Sequence, residues 1–173
     1  MVTYCFVDAA NLFYGGEKSL GWKIDYKKLF LYLKTKYKVR KVFYYAGVEL
    51  HGFSYSVLDE EPIGLGLLLK HLGNQLKNYN KRHVSQKKRE LLEKHIARAK
   101  FYRKLKQFGY TLRLKPVKTY RQSDGSYEKK ANCDVDMTFE LMKYIKEYSG
   151  VVVLSGDGDF AVVLKHLVNT KRS

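Results

Sequence analysis

Two short apolar segments lie near opposite ends of this chain, and each gives way to an aspartate. Val2-Thr3-Tyr4-Cys5-Phe6-Val7 runs into Asp8, and Val151-Val152-Val153-Leu154 runs into Ser155-Gly156-Asp157. Runs rich in β-branched and aromatic residues read as strands, and one with no polar alternation reads as a strand buried on both faces. Val39 to Ala46, stopped by Gly47, and Tyr110 to Val117 are two more such runs. The stretches between them carry helical periodicity. Asp25 is a candidate N-cap for a helix over 26–37, where Leu29, Phe30 and Leu33 recur at helical spacing. Leu65 to Leu76 can hold a short helix. A long one is expected from Ser85 to Phe108, with Leu91, Leu92, His95, Ala99, Tyr102 and Leu105 as its inner stripe and Gly109 as its stop. Two further helices are expected over 134–147 and 160–168. Strands separated by helices predict an α/β fold, a three-layer sandwich about a central, mainly parallel sheet. A length of 173 residues supports a single domain over 1–173.

Charge narrows the function classes. The chain holds 33 Lys and Arg against 17 Asp and Glu, a formal charge of +16, so its surface repels itself unless a polyanion is near. Nucleic acid is the commonest such partner, because each neutralised phosphate releases condensed counterions; a merely basic protein is the alternative. No apolar run approaches bilayer length, and the first residues lack the basic region of a signal peptide, so no membrane association is expected. Cys5 and Cys133 stand in unlike contexts, which suits reduced thiols and a cytoplasmic setting. The five histidines show no pair at metal-ligand spacing, which argues against zinc.

In so basic a chain the placement of the acids is informative. Asp8 ends the first strand, and Asp157 and Asp159 follow the last one. Asp134 opens the helix before that last strand. In an open parallel sheet, ligands bind beyond the carboxyl ends of the strands. Carboxylates gathered there repel one another unless a hard divalent cation intervenes, and Mg²⁺ or Mn²⁺ accepts a few carboxylates while keeping waters and phosphate oxygens. Such an ion can activate water for attack on a phosphodiester. The glycines beside Asp157 would allow tight turns and close approach of a phosphate. Taken singly, Asp8 or Asp134 reads as an ordinary N-cap, and Gly156-Asp157-Gly158-Asp159 as a turn or part of a calcium loop that lacks its later glutamate. A phosphotransfer enzyme with Asp8 as nucleophile is a rival, weakened because Ala9-Ala10-Asn11 supplies no second acid.

Three segments carry a family resemblance: Val7-Asp8-Ala9-Ala10-Asn11, Lys130-Ala131-Asn132-Cys133-Asp134-Val135-Asp136 and Ser155-Gly156-Asp157-Gly158-Asp159-Phe160. They resemble the signature segments of NYN domains, in the LabA-like group of the PIN-like nuclease superfamily. The resemblance implies a PIN-like fold, an acidic Mg²⁺ or Mn²⁺ site and endoribonuclease activity. It implies Asp8, Asp134, Asp157 and Asp159 as metal ligands, Asn11 as an orienting catalytic residue and Ser155 as a support on the substrate side. The chain departs from the pattern in carrying Glu140 where relatives often have Asp. It also stops at Lys171-Arg172-Ser173 where they continue into another strand, so either the chain is truncated or the sheet lacks its usual last strand. An uncovered edge leaves a homodimer possible.

The basic residues supply candidates for RNA contact, with DNA equally compatible. From Lys81 to Lys106 the chain is crowded with Lys and Arg, Arg98 among them, opposed only by Glu90 and Glu93. A soluble amphipathic helix would mix both signs for i,i+4 pairs. Lys129 and Lys130, just ahead of Asp134, are candidates for a phosphate clamp. Of the fifteen tyrosines, Tyr14, Tyr55, Tyr79, Tyr120 and Tyr127 fall in expected loops or element edges, where they could stack on unpaired bases. The alternative function is a non-catalytic RNA-binding module of a larger assembly.

Overall fold

In the computed structural model the described residues are 2–56, 62–81 and 84–172. In chain order the elements are β1 (Thr3–Asp8), α1 (Ala9–Leu12), a π-helical turn (Phe13–Ser19), α2 (Tyr26–Tyr37), β2 (Val39–Val48), α3 (Leu65–Lys81), α4 (Gln86–Phe108), β3 (Thr111–Pro116), β4 (Lys118–Arg121), β5 (Tyr127–Lys130), α5 (Asp134–Lys143), β6 (Gly150–Leu154), a 3₁₀ turn (Gly158–Phe160) and α6 (Ala161–Arg172). Four strands make one sheet in the order β3-β2-β1-β6, and β1 pairs in parallel with both β2 and β6. This is the expected α/β fold with a central parallel sheet. The strands β4 and β5 form a separate antiparallel ribbon.

Two compact units can be distinguished. The first comprises Met1–Ala46, Phe108–Arg113 and Asn132–Ser173, the second Gly47–Gln107 and Leu114–Ala131. In the first unit the pleat of β1 sends Tyr4 and Phe6 to one face, where they join Phe43 and Tyr45 of β2, Met137 and Leu141 of α5, and Phe160 and Leu167. The other face carries α2, whose Tyr26 meets Tyr44 edge-on, while Tyr110 packs against Tyr44 and Phe30. Helices on both faces of a sheet give three layers, and each fully buried aromatic or leucine contributes roughly 1.5–3 kcal/mol. Asp25 caps α2 by accepting from the Lys28 amide at 3.0 Å, as its position predicts. Gly109 takes φ +105°, with the Phe30 ring where a Cβ would stand.

The second unit is built on α3 and α4. Leu68 and Leu72 of α3 and Leu92, Ala99, Tyr102 and Leu105 of α4 are buried. Leu91, expected on the inner stripe, is exposed, because the stripe runs through Leu92 and the neighbouring position turns about 100° away. Gly47 does not stop β2, which continues to Val48. The lack of a side chain there serves packing: a Cβ would lie 2.8 Å from the Ala131 Cβ and 3.0 Å from a Val117 methyl.

One further expectation is corrected. The strand β6 is half-buried along its length, at an edge of the sheet among the described residues; an apolar run reports coverage of its faces and says nothing of which lateral edge is paired. The β4–β5 ribbon has no counterpart among the expected elements, because its exposed strands lack the apolar alternation of a half-buried strand.

Candidate functional site

The parallel register of β1 with β6 ends on Val7 opposite Leu154, so Asp8 and Ser155 stand side by side one step beyond the last pair. Asp8 is buried, and an isolated buried carboxylate is costly. Four hydrogen bonds compensate. Its Oδ1 accepts from the amides of Ala10 at 3.1 Å and Asn11 at 3.2 Å, making Asp8 the N-cap of α1. Its Oδ2 accepts from the Asn11 side-chain amide at 2.5 Å and from the Ser155 hydroxyl at 3.0 Å. The carboxylate is thereby locked in position.

Ser155 ties the two strand ends together. While its hydroxyl donates to Asp8, it accepts the Asp157 amide at 3.1 Å. Asp157 in turn caps the 3₁₀ turn, its Oδ1 accepting from the Asp159 amide at 2.9 Å. Its Oδ2 has no hydrogen bond among the described residues. Asp8, Asn11, Ser155 and Asp157 therefore form one hydrogen-bonded cluster at the carboxyl ends of neighbouring parallel strands. Gly156 and Gly158 do not adopt positive φ, so the tight-turn reason for these glycines fails; a Cβ on Gly158 would meet nothing within 4 Å. What their bareness does is leave the backbone beside Asp157 uncovered.

Asp134 opens α5, and its amide donates to Asn132 Oδ1 at 2.9 Å. The far end of α5 leads through Tyr148 to Ser149, whose amide donates to the Val2 carbonyl at the start of β1. The helix consequently begins at the same end of the sheet as Asp8. Asp159 is exposed and lines an open groove of about 410 Å³ with Thr138, Met142, Val162, Val163 and His166. Among the described residues no three His, Cys, Asp or Glu side chains come together as a cation-holding group. The structure thus joins two of the four expected acids through Ser155, and the four do not form a preformed cage.

Arg98, Lys129 and Lys130 belong to the second unit. Arg98 is exposed on α4, Lys129 pairs with Glu49 at 3.0 Å, and Lys130 is exposed on β5 opposite Lys118. One network escaped the sequence reading. Glu140 accepts from Arg113 Nε at 2.7 Å and from the Tyr45 hydroxyl, and Tyr45 is the β2 residue in register with Asp8. Burial and the Glu140 carboxylate hold the Tyr45 phenol far above its ordinary range. The only signal was an arginine between two leucines, Leu112 and Leu114, in β3.

The NYN domain family model matches residues 73–173, more than half of the chain. The chain belongs to the NYN domain family. Low amplitude and bright protein LabA of Synechococcus elongatus is 24% identical over 157 residues, and the match covers 90% of this chain and 61% of LabA. Together these place the chain in the LabA-like group of NYN domains, and it spans less than two thirds of the relative's length. The crystal structure of a protein of unknown function from Vibrio parahaemolyticus shares the fold at a TM-score of 0.56 and 19% identity, over 99% of this chain and 76% of that one. A looser likeness, at a TM-score of 0.46 and 16% identity over 91% and 49%, is to the T5 D15 protein co-crystallized with metal ions. Among the described residues no helix is long and apolar enough to cross a membrane.

Proposed function

We propose that this NYN domain is a metal-dependent endoribonuclease that hydrolyses RNA phosphodiester bonds beside Asp8 and Asp157. One observation carries the reading: a single hydroxyl, that of Ser155, fixes two aspartates at the carboxyl ends of adjacent parallel strands. Hard oxygen donors at this place suit Mg²⁺ or Mn²⁺. These ions are commonly held by one or two carboxylates plus waters and substrate phosphates, so the lack of a third gathered acid among the described residues fits a hydrated ion. Asp157 would hold it through its open Oδ2 and Asp8 by giving up one of its four hydrogen bonds, with Asp134 and Asp159 reaching it through water. When bound, the ion supplies an activated water and neutralises charge on the phosphodiester. The chain's own part is to orient: Asn11 and Ser155 fix the Asp8 carboxylate, and the caps made by Asp8 on the Ala10 amide and by Asp157 on the Asp159 amide fix the two backbones. The uncovered glycine backbone beside Asp157 leaves room for the phosphate. Cys5 and Cys133, which form no disulfide, suit a cytoplasmic setting, and pairing of two copies along the β6 edge belongs to the same proposal.

The lack of a third gathered acid among the described residues is equally what a second reading expects, an RNA-binding module without turnover. Labelled RNA incubated with Mg²⁺ or Mn²⁺ separates the two. Cleavage that vanishes with EDTA and in Asp157→Asn is expected for the nuclease, alongside Mn²⁺ binding by calorimetry that weakens in the same variant. RNA binding without cleavage at any concentration of either ion would establish the second reading.

A further inference from the structure

The β4–β5 ribbon is firmly planted and wholly exposed. At its base the Val117 amide donates to the Val48 carbonyl at 3.0 Å, Ala131 packs on bare Gly47, and Lys129 pairs with Glu49. Yet all eight residues of the two strands are exposed, so the ribbon covers no core. Its register sets Lys118 opposite Lys130 and Tyr120 opposite Glu128 on one face, and Thr119 opposite Lys129 and Arg121 opposite Tyr127 on the other. Like charges directly opposite destabilise a strand pair, and a two-stranded ribbon is marginal by itself. Neutralising acids are engaged locally: Asp124 caps the turn by accepting from the Ser126 amide, and Glu128 accepts from Gln122. Among the described residues Lys118, Arg121 and Lys130 make no ion pair. Tyr120 and Tyr127 are 51% and 70% exposed, well beyond what packing requires.

We propose that the β4–β5 ribbon is a binding arm around which single-stranded RNA wraps, with Lys118 and Lys130 on the phosphates and Tyr120 on an unpaired base at one face, and Tyr127, beside Arg121, on an unpaired base at the other. Same-face neighbours along a strand lie about 7 Å apart, so the lysine pair and Tyr120 fall within the span of one nucleotide. Cations without an ion pair among the described residues, interleaved with exposed rings, match the sequence-tolerant mode of single-strand binding. A double helix offers no free base faces for the tyrosines. Lys129, committed to Glu49, anchors the arm and does not read the strand. The choice of RNA rests on the nuclease proposal; the arm itself does not.

The test is anisotropy of a labelled, unstructured RNA with the full chain in EDTA, across a NaCl series, so that binding is read without cleavage. Lys118→Ala/Lys130→Ala should flatten the slope of log affinity against log salt by about 1.4. The charge-matched control Lys27→Ala/Lys28→Ala on α2 should leave it near the wild-type value. Tyr120→Ala and Tyr127→Ala should each weaken binding roughly five- to a hundred-fold, with Phe in either place restoring most of it. Unchanged slope and affinity in all ribbon variants, with their melting temperatures intact, would overturn the arm. Tighter binding of duplex RNA that ignores the tyrosine variants would overturn the single-strand assignment. Cleavage in Mg²⁺ that persists in the ribbon variants at saturating RNA leaves the nuclease reading standing while the arm is judged separately.

Discussion

Replacing Glu140 distinguishes a structural acid from a chemical one. Its side chain is 13% exposed, and Arg113, its partner at 2.7 Å, is 31% exposed. Removing one member of a buried pair typically costs 3–5 kcal/mol because the other charge is left unpaired. Arg113 retains a path to water, so Glu140→Ala is expected at the low end, about 3 kcal/mol. For a chain of this size that is roughly 6–12 °C in melting temperature. Glu140→Gln keeps the shape and can still accept from the Tyr45 hydroxyl; losing one charge-assisted bond should cost about 1.5–3 kcal/mol. A thermal melt and a urea titration of both variants, with Arg113→Met and the Glu140→Gln/Arg113→Met double variant, complete a cycle. A clear coupling energy between the two sites is the expected result. The reasoning fails if Glu140→Gln melts within a degree of wild type while losing Mn²⁺ binding and cleavage. Glu140 would then be a site acid and its pairing with Arg113 incidental.

Ser155→Ala removes both the donor to Asp8 and the acceptor for the Asp157 amide; about 1–3 kcal/mol of stability should go with it, and cleavage should fall while Ser155→Thr retains most of both. The Cys5 thiol is buried and pushed up to about 12 by that burial, so native-state alkylation should label the half-buried Cys133 first and reach Cys5 only on unfolding. His51 Nε2 and His95 Nδ1 lie 2.6 Å apart, and burial holds both imidazoles below the ordinary 6.5 against the pull of Glu49. Their contribution to stability is therefore complete above about pH 6.5 and is lost as pH falls through the lower folded values. Melts between pH 7.5 and 5 should show a steeper acid-side decline in wild type than in His95→Gln, and equal declines would refute this.

What could be read from the sequence divides along physical lines. The helix over 86–108 and the cap at Asp25 were legible because periodicity and capping are local. The strand-end positions of Asp8 and Asp157 were legible because apolar runs in a parallel sheet stop where the ligand side begins. The Glu140–Arg113–Tyr45 network was hidden, since it joins residues from three elements with no spacing to betray them. The His51–His95 contact was hidden for the same reason, because ligand-spacing rules look along the chain and this pair closes across 44 residues. The ribbon escaped for a different reason: a strand exposed on both faces has no hydrophobic pattern to read.

The choice posed by the sequence, N-cap or site acid, dissolves at Asp157. Capping uses Oδ1, which accepts from the Asp159 amide, and the extended backbone that makes Asp157 a cap also holds its carboxylate at the end of β6. Oδ2 is left without a hydrogen bond among the described residues. The cap therefore orients the group for a second task. Asparagine caps about as well as aspartate, whereas alanine forfeits about 1 kcal/mol. Asp157→Asn should consequently melt within a degree or so of wild type, and Asp157→Ala roughly 2–4 °C lower. If the carboxylate also holds the ion, both variants lose Mn²⁺ affinity and cleavage to a similar extent despite their different stabilities. Loss of cleavage that instead followed stability, with Asp157→Asn active and Asp157→Ala not, would mean that the residue serves as a cap alone.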